Sequence, residues 1–501
     1  MATRVPSCEV IAGPGTAKED RLHKKVRITS QVRALRTVKS MASPAGTFQL
    51  TCTYEPPPGF AGSLNRILVP GNTVEISLDA GLPDSTMETV MLGWVTNVEE
   101  VVTLNQKGQP QRTISVTGLD MGKFFLRHDL PGYLFTSFIM GDKEAASRLE
   151  KGLFISGIVG EVLRGIFLAI YQEQTPVPLQ VLEEGQLITD PALDGIGDDS
   201  LLSYLSVDSL WTEHGKFWNV FTSYADRPWN EVFGDYIADP HNSPYGDYLL
   251  AKPGSSAPPF KQGVAGTLSG NGGAGYYLIA RRSPFSKAKW DKLPTTTVFD
   301  SEIKLQKLKL SDDERINLVL VAPFGKGTRI TGDQYADGAV FRSIYWDKDS
   351  TRRHGTQSLQ TSSIYTDIGG DSHLDPDKLR DFTKGDDTDL TNAVRQRGRL
   401  LWEWYSVNHL LRKGIVAFAG NPSIRIGERI QHQSDGSSYY VEEEGERSAM
   451  YVEQVIQDYA EGSHYHTHVA VTRAQPRDHF VEADFAGAEI WKSDPAGVST
   501  P

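Results

Sequence analysis

The chain has 501 residues, too many for a single compact core, so its length implies two to four domains of roughly 100 to 200 residues each. Its 39% hydrophobic and 23% charged residues are those of an ordinary folded protein, while 47 glycines and 27 prolines point to many turns and short strands. A formal charge of −12 argues against a broad surface that holds nucleic acid by its phosphates, and two cysteines, Cys8 and Cys52, are too few for a disulfide scaffold or a four-thiolate zinc site.

The opening MATRVPSCEV lacks the apolar core of a secretory signal and the Arg-rich pattern of a transit peptide, so assembly in the cytoplasm is expected after an N-terminal arm of residues 1–24. Residues 47–54, TFQLTCTY, alternate strictly, with Phe48, Leu50, Cys52 and Tyr54 on one face, which predicts a half-buried strand. NTVEISLD (72–79), TVMLGWVTNVEE (89–100) and QRTISVTGLD (111–120) repeat the pattern between turn residues. Residues 25–130 therefore read as a first antiparallel barrel or sandwich.

The period turns helical in residues 143–172 and 201–237, within a mixed insertion spanning 131–290. GLFISGIVGEVLRGIFLAI (152–170) is about as long as a bilayer span. Glu161 and Arg164 interrupt it, each costing roughly 2.5–3.5 kcal/mol at a membrane centre, so no membrane insertion is expected. Residues 252–275 form a Gly/Ser/Pro-rich loop, and YYLIARR (276–282) reads as a strand. Residues 291–310 and 391–476 make a second β domain, interrupted at 311–390 by a strand and a polar, Asp-rich excursion over 350–389. In that domain TNAVRQRGRLLWEWYSVNHLL (391–411) is helical, with Val394, Leu401, Tyr405, Asn408 and Leu411 on one side. GIVAFAG, SIRIGERI, YYVEEE, MYVEQVIQDY and SHYHTHVAVTRA follow as strands, and 477–501 is a tail.

The two β sets look alike. Placing Gly71 over Gly427 brings Val116 to within one residue of Val471, which suggests a duplication of one barrel. The fold class is thus α+β, mainly β, with two related antiparallel barrel or sandwich domains carrying helical and loop-rich insertions.

Chemical motifs are few. GNGGAG (270–275) fits the glycine pattern of dinucleotide loops but lacks the strand before and the helix after, so it reads as a turn. The acidic runs EEEGE (442–446) and GDDTD (385–389) read as solvated faces rather than a catalytic pair. His464, His466 and His468 share one strand face, while Tyr465, Thr467, Val469 and Val471 form an inward row. Without a companion Cys or acidic-His signature, an outward face outweighs a metal site, and no cofactor, metal or catalytic residue is expected.

WNVFTSYADRPWNEVFGDY (218–236), YYLIARRSPFSKAKWDKLP (276–294), SDDERINLVLVAP (311–323) and LLWEWYSVNHLLRKGIVAFAGNPSIRIGERI, through YYVEE to YHTHVAVTRAQ, resemble in that order the baseplate hub proteins of tailed bacteriophages. The resemblance covers roughly residues 25–476. It implies two barrels of the tail-tube type per protomer, so that a homotrimer presents a pseudo-sixfold face. It also implies a non-enzymatic virion protein of the tail baseplate, joining the tail tube or a distal tail protein to a central spike, baseplate wedge components and a tape measure protein, with DNA passing through unbound. By the same resemblance Trp229 and Phe233 would be packing anchors, Arg227 and Asn230 would hydrogen-bond across a domain junction, and Pro284 and Phe285 would act similarly on the adjacent strand. A carbohydrate-active β-protein, either cell-wall hydrolase or receptor-binding module, and the hub of a type VI-like injection system are the alternatives. No lysozyme, peptidase or fibrous spike region is recognisable after residue 476, so any wall cleavage is expected in a partner.

Overall fold

The computed structural model describes residues 6–13, 26–120, 285–322, 343–362, 398–433, 448–476, 480–486 and 489–490, with breaks at 42, 44, 61, 82–84, 86, 105–107, 109, 292, 294 and 400, and short strands between 129 and 280. Seven strands come first: β1 (Ser7–Gly13), β2 (Val26–Arg27), β3 (Val32–Ser40), β4 (Thr47–Thr53), β5 (Thr73–Asp79), β6 (Glu88–Leu104) and β7 (Pro110–Asp120). The short strands are β8 (Asp129–Leu130), β9 (Gly157–Ile158), β10 (Leu179–Leu182), β11 (Ser206–Val207), β12 (Gly215–Lys216), β13 (Tyr236–Ala238) and β14 (Tyr276–Ala280). Then come β15 (Thr295–Phe299), β16 (Ile303–Lys309), β17 (Leu318–Ala322), β18 (Ser343–Trp346), β19 (Ser358–Ser362), β20 (Arg412–Ala419), β21 (Arg429–Gln433), β22 (Ser448–Ala460), β23 (His464–Pro476) and β24 (Glu489–Ile490).

The described chain is mostly strand. One sheet of 13 strands runs β16-β20-β23-β22-β3-β4-β7-β6-β5-β1-β2, with β21 and β15 branching from β22. Within it the order β3-β4-β7-β6-β5 recurs as β16-β20-β23-β22-β21, in the same chain order and antiparallel throughout.

The repetition holds residue by residue. Gly71 and Gly427 both adopt the left-handed region, at φ 99° and 75°, which favours a residue without Cβ. Their amides donate to the carbonyls of Val95 (2.9 Å) and Val452 (2.8 Å), and the amides of Val95 and Val452 donate back to those of Asn72 (2.8 Å) and Glu428 (3.0 Å). β6 bulges at Thr96 against β7, and β22 bulges at Glu453 against β23. β3 bulges at Arg33 and β16 at Lys304, each just after a 3-10 turn, Thr29–Gln31 or Asp300–Glu302. Each unit has its own core: Val10, Leu50, Ile76, Ile114 and Val116 lie in one, Phe285, Phe418, Met450, Tyr451 and Val469 in the other.

Several expectations change. Bulge alignment equates Val471 with Gly118, and Val116 with Val469, because the turn between the last two strands is shorter in the second unit. Ser7–Gly13, expected in an arm, is a strand: its apolar row Cys8, Val10 and Ala12 enters the first core, where β1 pairs antiparallel with β5. At the corresponding edge the second unit has β15 parallel to β21. SIRIGERI is a turn-rich approach to β21 rather than a strand, because Gly427 turns the chain there. The expected helices at 143–172 and 201–237 are interrupted by β9, β11, β12 and β13, each drawn into pairing with a distant partner that local periodicity does not reveal, and the rest of these segments lies outside the described residues. The segment 252–275 lies outside them as well. The excursion at 350–389 opens within a short helix, Lys348–His354, capped by the Asp347 carboxylate accepting from the Ser350 amide (2.8 Å), and continues into β19. With β17, β18 and β24, β19 forms a four-stranded side sheet, so part of the expected tail is paired as well. Among the described residues no helix is long and apolar enough to cross a membrane, and 152–170 lies outside them apart from β9.

Candidate functional site: the junction of the two units

The units meet edge to edge. β22 pairs with β21 along its first half and with β3 along its second, from Gln454 opposite Ser40 to Ala460 opposite Ala34. This ladder makes both units one sheet. On one face a row that is polar beyond its first member crosses seven strands: Ala419, His466, Asp458, Arg36, Gln49, Thr117 and Asn97. On the other, Thr467, Gln457 and Thr37, each at most 2% exposed, form a polar seam between the cores.

Buried polar groups there need partners. Gln457 Oε1 accepts from the Tyr465 hydroxyl (3.1 Å) and the Thr467 hydroxyl (2.6 Å), and Gln457 Nε2 donates to the Asn421 carbonyl (3.1 Å). The Asn421 amide donates to Thr467 Oγ1 (2.7 Å). Burial holds the Tyr465 phenol well above its ordinary range. Farther along, Glu88 of the first unit accepts from Ser423 Oγ (2.7 Å) and Arg425 Nη2 (2.8 Å) of the second. Lys39 is buried beside them in a small cavity lined by Val90, Ile424, Arg425 and Val455. Burial brings its ammonium down to about 7, against the opposing pull of Asp120 and with the help of Arg425.

Of the residues the sequence offered for a junction, only Phe285 lies among those described. Arg227, Trp229, Asn230, Phe233 and Pro284 lie outside them. Phe285 follows β14 rather than belonging to a strand, and it packs inside the second core. Its ring meets Trp404 at 4.9 Å and Tyr451 at 5.2 Å, both edge-on, and the Arg473 guanidinium lies 3.5 Å from the ring centroid. Arg473, 5% exposed and at φ 53°, also donates to the Trp404 carbonyl.

The histidines occupy the polar face, half-buried, with the Tyr465, Thr467, Val469 and Val471 row buried behind them. The His464 and His466 rings stack at 4.9 Å, while His466 and His468 are edge-on at 6.1 Å. Burial, then Lys304 and the two flanking histidines, hold His466 below the usual imidazole range despite Asp458. Among the described residues no group of three or more His, Cys, Asp or Glu side chains is placed to hold a metal ion.

These features define a class: a mainly β protein of two register-equivalent units fused into one sheet through a polar seam. No protein-family model matches the chain, and no curated protein does. Among solved structures, the tail protein from Neisseria meningitidis MC58 is 12% identical with a TM-score of 0.46, over 93% of this chain and 96% of that one. The 43 kDa tail protein of prophage MuSo2 from Shewanella oneidensis is 10% identical at 0.45, over 93% and 98%. The Francisella PdpA–VgrG complex is 8% identical at 0.42, over 94% and 58%. Similarity at this level assigns the chain to none of them.

Proposed function

We propose that this chain is a structural protein of a phage tail baseplate, a hub acting without chemistry of its own. Three copies form a ring in which six units face a sixfold tail tube, while the other end carries the central spike and the middle passes DNA. The observation that carries this reading is the register-equivalent pair of units within one polypeptide. Two equivalent edges per chain let a threefold assembly present six similar positions. The ordered phrases that resemble baseplate hubs support it from the sequence. The polar row across the sheet carries Arg36 and Asp458 side by side, so the charges of that row are mixed rather than uniformly basic.

The test is assembly. Sedimentation of the purified chain, repeated with its tail-tube and spike partners, is expected to give three copies, and electron microscopy of tail tips should place them between tube and spike. Turnover of peptidoglycan or polysaccharide, lost on substitution of an acidic residue, would overturn the reading in favour of a hydrolase.

A further inference from the structure

The internal junction is a template for an external one. In β22 the half that pairs with β3 corresponds to Asn97–Thr103 of β6, and among the described residues this stretch pairs only with β7, on its other side. The counterpart of β3 is β16, which among the described residues ends the sheet and pairs only with β20. Among the described residues each chain therefore has one open copy of each half of its own junction.

We propose that Asn97–Thr103 pairs antiparallel with Leu305–Ser311 of a second copy, in the register that the internal junction dictates. Transferring each internal pair through the bulges sets Asn97 opposite Ser311, Val98 opposite Leu310, Glu99 opposite Lys309, Val101 opposite Lys307, and Thr103 opposite Leu305. The side chains fit that register. Val102 and Leu310, 60% and 59% exposed, correspond to Tyr459 and Lys39, which the internal junction buries to 6% and 8%. Arg425, beside Lys39, corresponds to Val69, 39% exposed, which would face Leu310. Val69, Val102, Leu104, Leu305 and Leu310 are five of the nine exposed large hydrophobic side chains among the described residues, and all lie on or beside these two edges. The charges also complement one another: Glu99 would face Lys309, with Lys307 next along the same side of β16. The contact is heterologous, each copy offering one edge forward and the other back.

The inference rests on the ring reading for the number of copies, but its register can fail alone. Glu99→Cys with Lys309→Cys, mildly oxidised, is expected to yield interchain disulfides. Glu99→Cys with Leu308→Cys, one residue out of register and on opposite faces, is expected to yield none. Cys8 and Cys52 do not compete: both are buried, which pushes their thiols to about 11 and about 12. Glu99→Lys or Lys309→Glu alone should raise the concentration for half-assembly about tenfold, and the double exchange should restore it to within about twofold. Should the variants misfold, hydrogen exchange on the unaltered chain decides, with amides of 97–103 and 305–311 expected to gain protection on assembly. Trimers with neither disulfides, charge rescue nor protection would overturn this pairing and leave the ring. A chain that stays monomeric, alone and with its partners, would overturn both.

Discussion

Phe48 and Gly118 face each other across β4 and β7, and their counterparts Gly414 and Val471 face each other across β20 and β23. The bulky partner sits on opposite strands in the two units. A Cβ on Gly118 would overlap the Phe48 ring, so Gly118→Ala should destabilise the chain by about 1–3 kcal/mol in chemical denaturation, and Phe48→Leu should recover part of the loss. Lys39 gives a pH signature. Its folded-state value of about 7 lies below the ordinary 10.5, so between these the unfolded chain holds a proton that the folded chain lacks. Stability contributed at this site therefore rises from about pH 7 to about pH 10.5, and below pH 7 the full cost of the buried charge remains. Thermal melts across that window should rise relative to those of Lys39→Met, and parallel profiles would refute the assignment. The inward lysine was not legible in the sequence: the row Arg33, Leu35, Thr37, Lys39 and Met41 is no more apolar than the row Val32, Ala34, Arg36 and Val38, and only the fold shows which one faces the core. Nor was Arg473, because a positive φ at a bulge leaves no local trace in residue type.

Among elements, the strands were the legible part. Strict alternation marks β4, β7 and β23, since one face of each meets a core and the other meets water. The duplication was legible too, yet the sequence match paired Val116 with Val471 instead of Val469. A two-residue slip keeps the same side chains inward, so alternation cannot detect it, whereas bulges can. The junction itself left no motif, because pairing between β22 and β3 joins residues some four hundred positions apart. Phe285 was offered for a domain junction and lies inside the second core, a setting that required the fold: Trp404, Tyr451 and Arg473 arrive from three other segments. Phe285→Ala should cost about 3–5 kcal/mol, read as a fall in the denaturation midpoint, with the second core losing amide protection first.

At the scale of the whole molecule, association and folding should be separable. Val102 and Leu310 lie exposed in the single chain, so Val102→Asp with Leu310→Asp should leave monomer stability within about 0.5 kcal/mol of the original. The same pair would bury charge between copies and should abolish assembly in sedimentation. Loss of assembly accompanied by unfolding would instead place these residues in the fold.

The seam beside Lys39 joins units that share a backbone and can never drift apart. Tethering keeps the two edges at a high effective concentration, so that contact tolerates a buried ammonium and a chain of amide and hydroxyl bonds. Separate molecules have no tether, and an encounter between them must supply its own driving force. In the proposed pairing, leucine and valine at the matching positions meet that need. One edge geometry in that pairing thus serves two kinds of joint, covalent and diffusive, with residues suited to each.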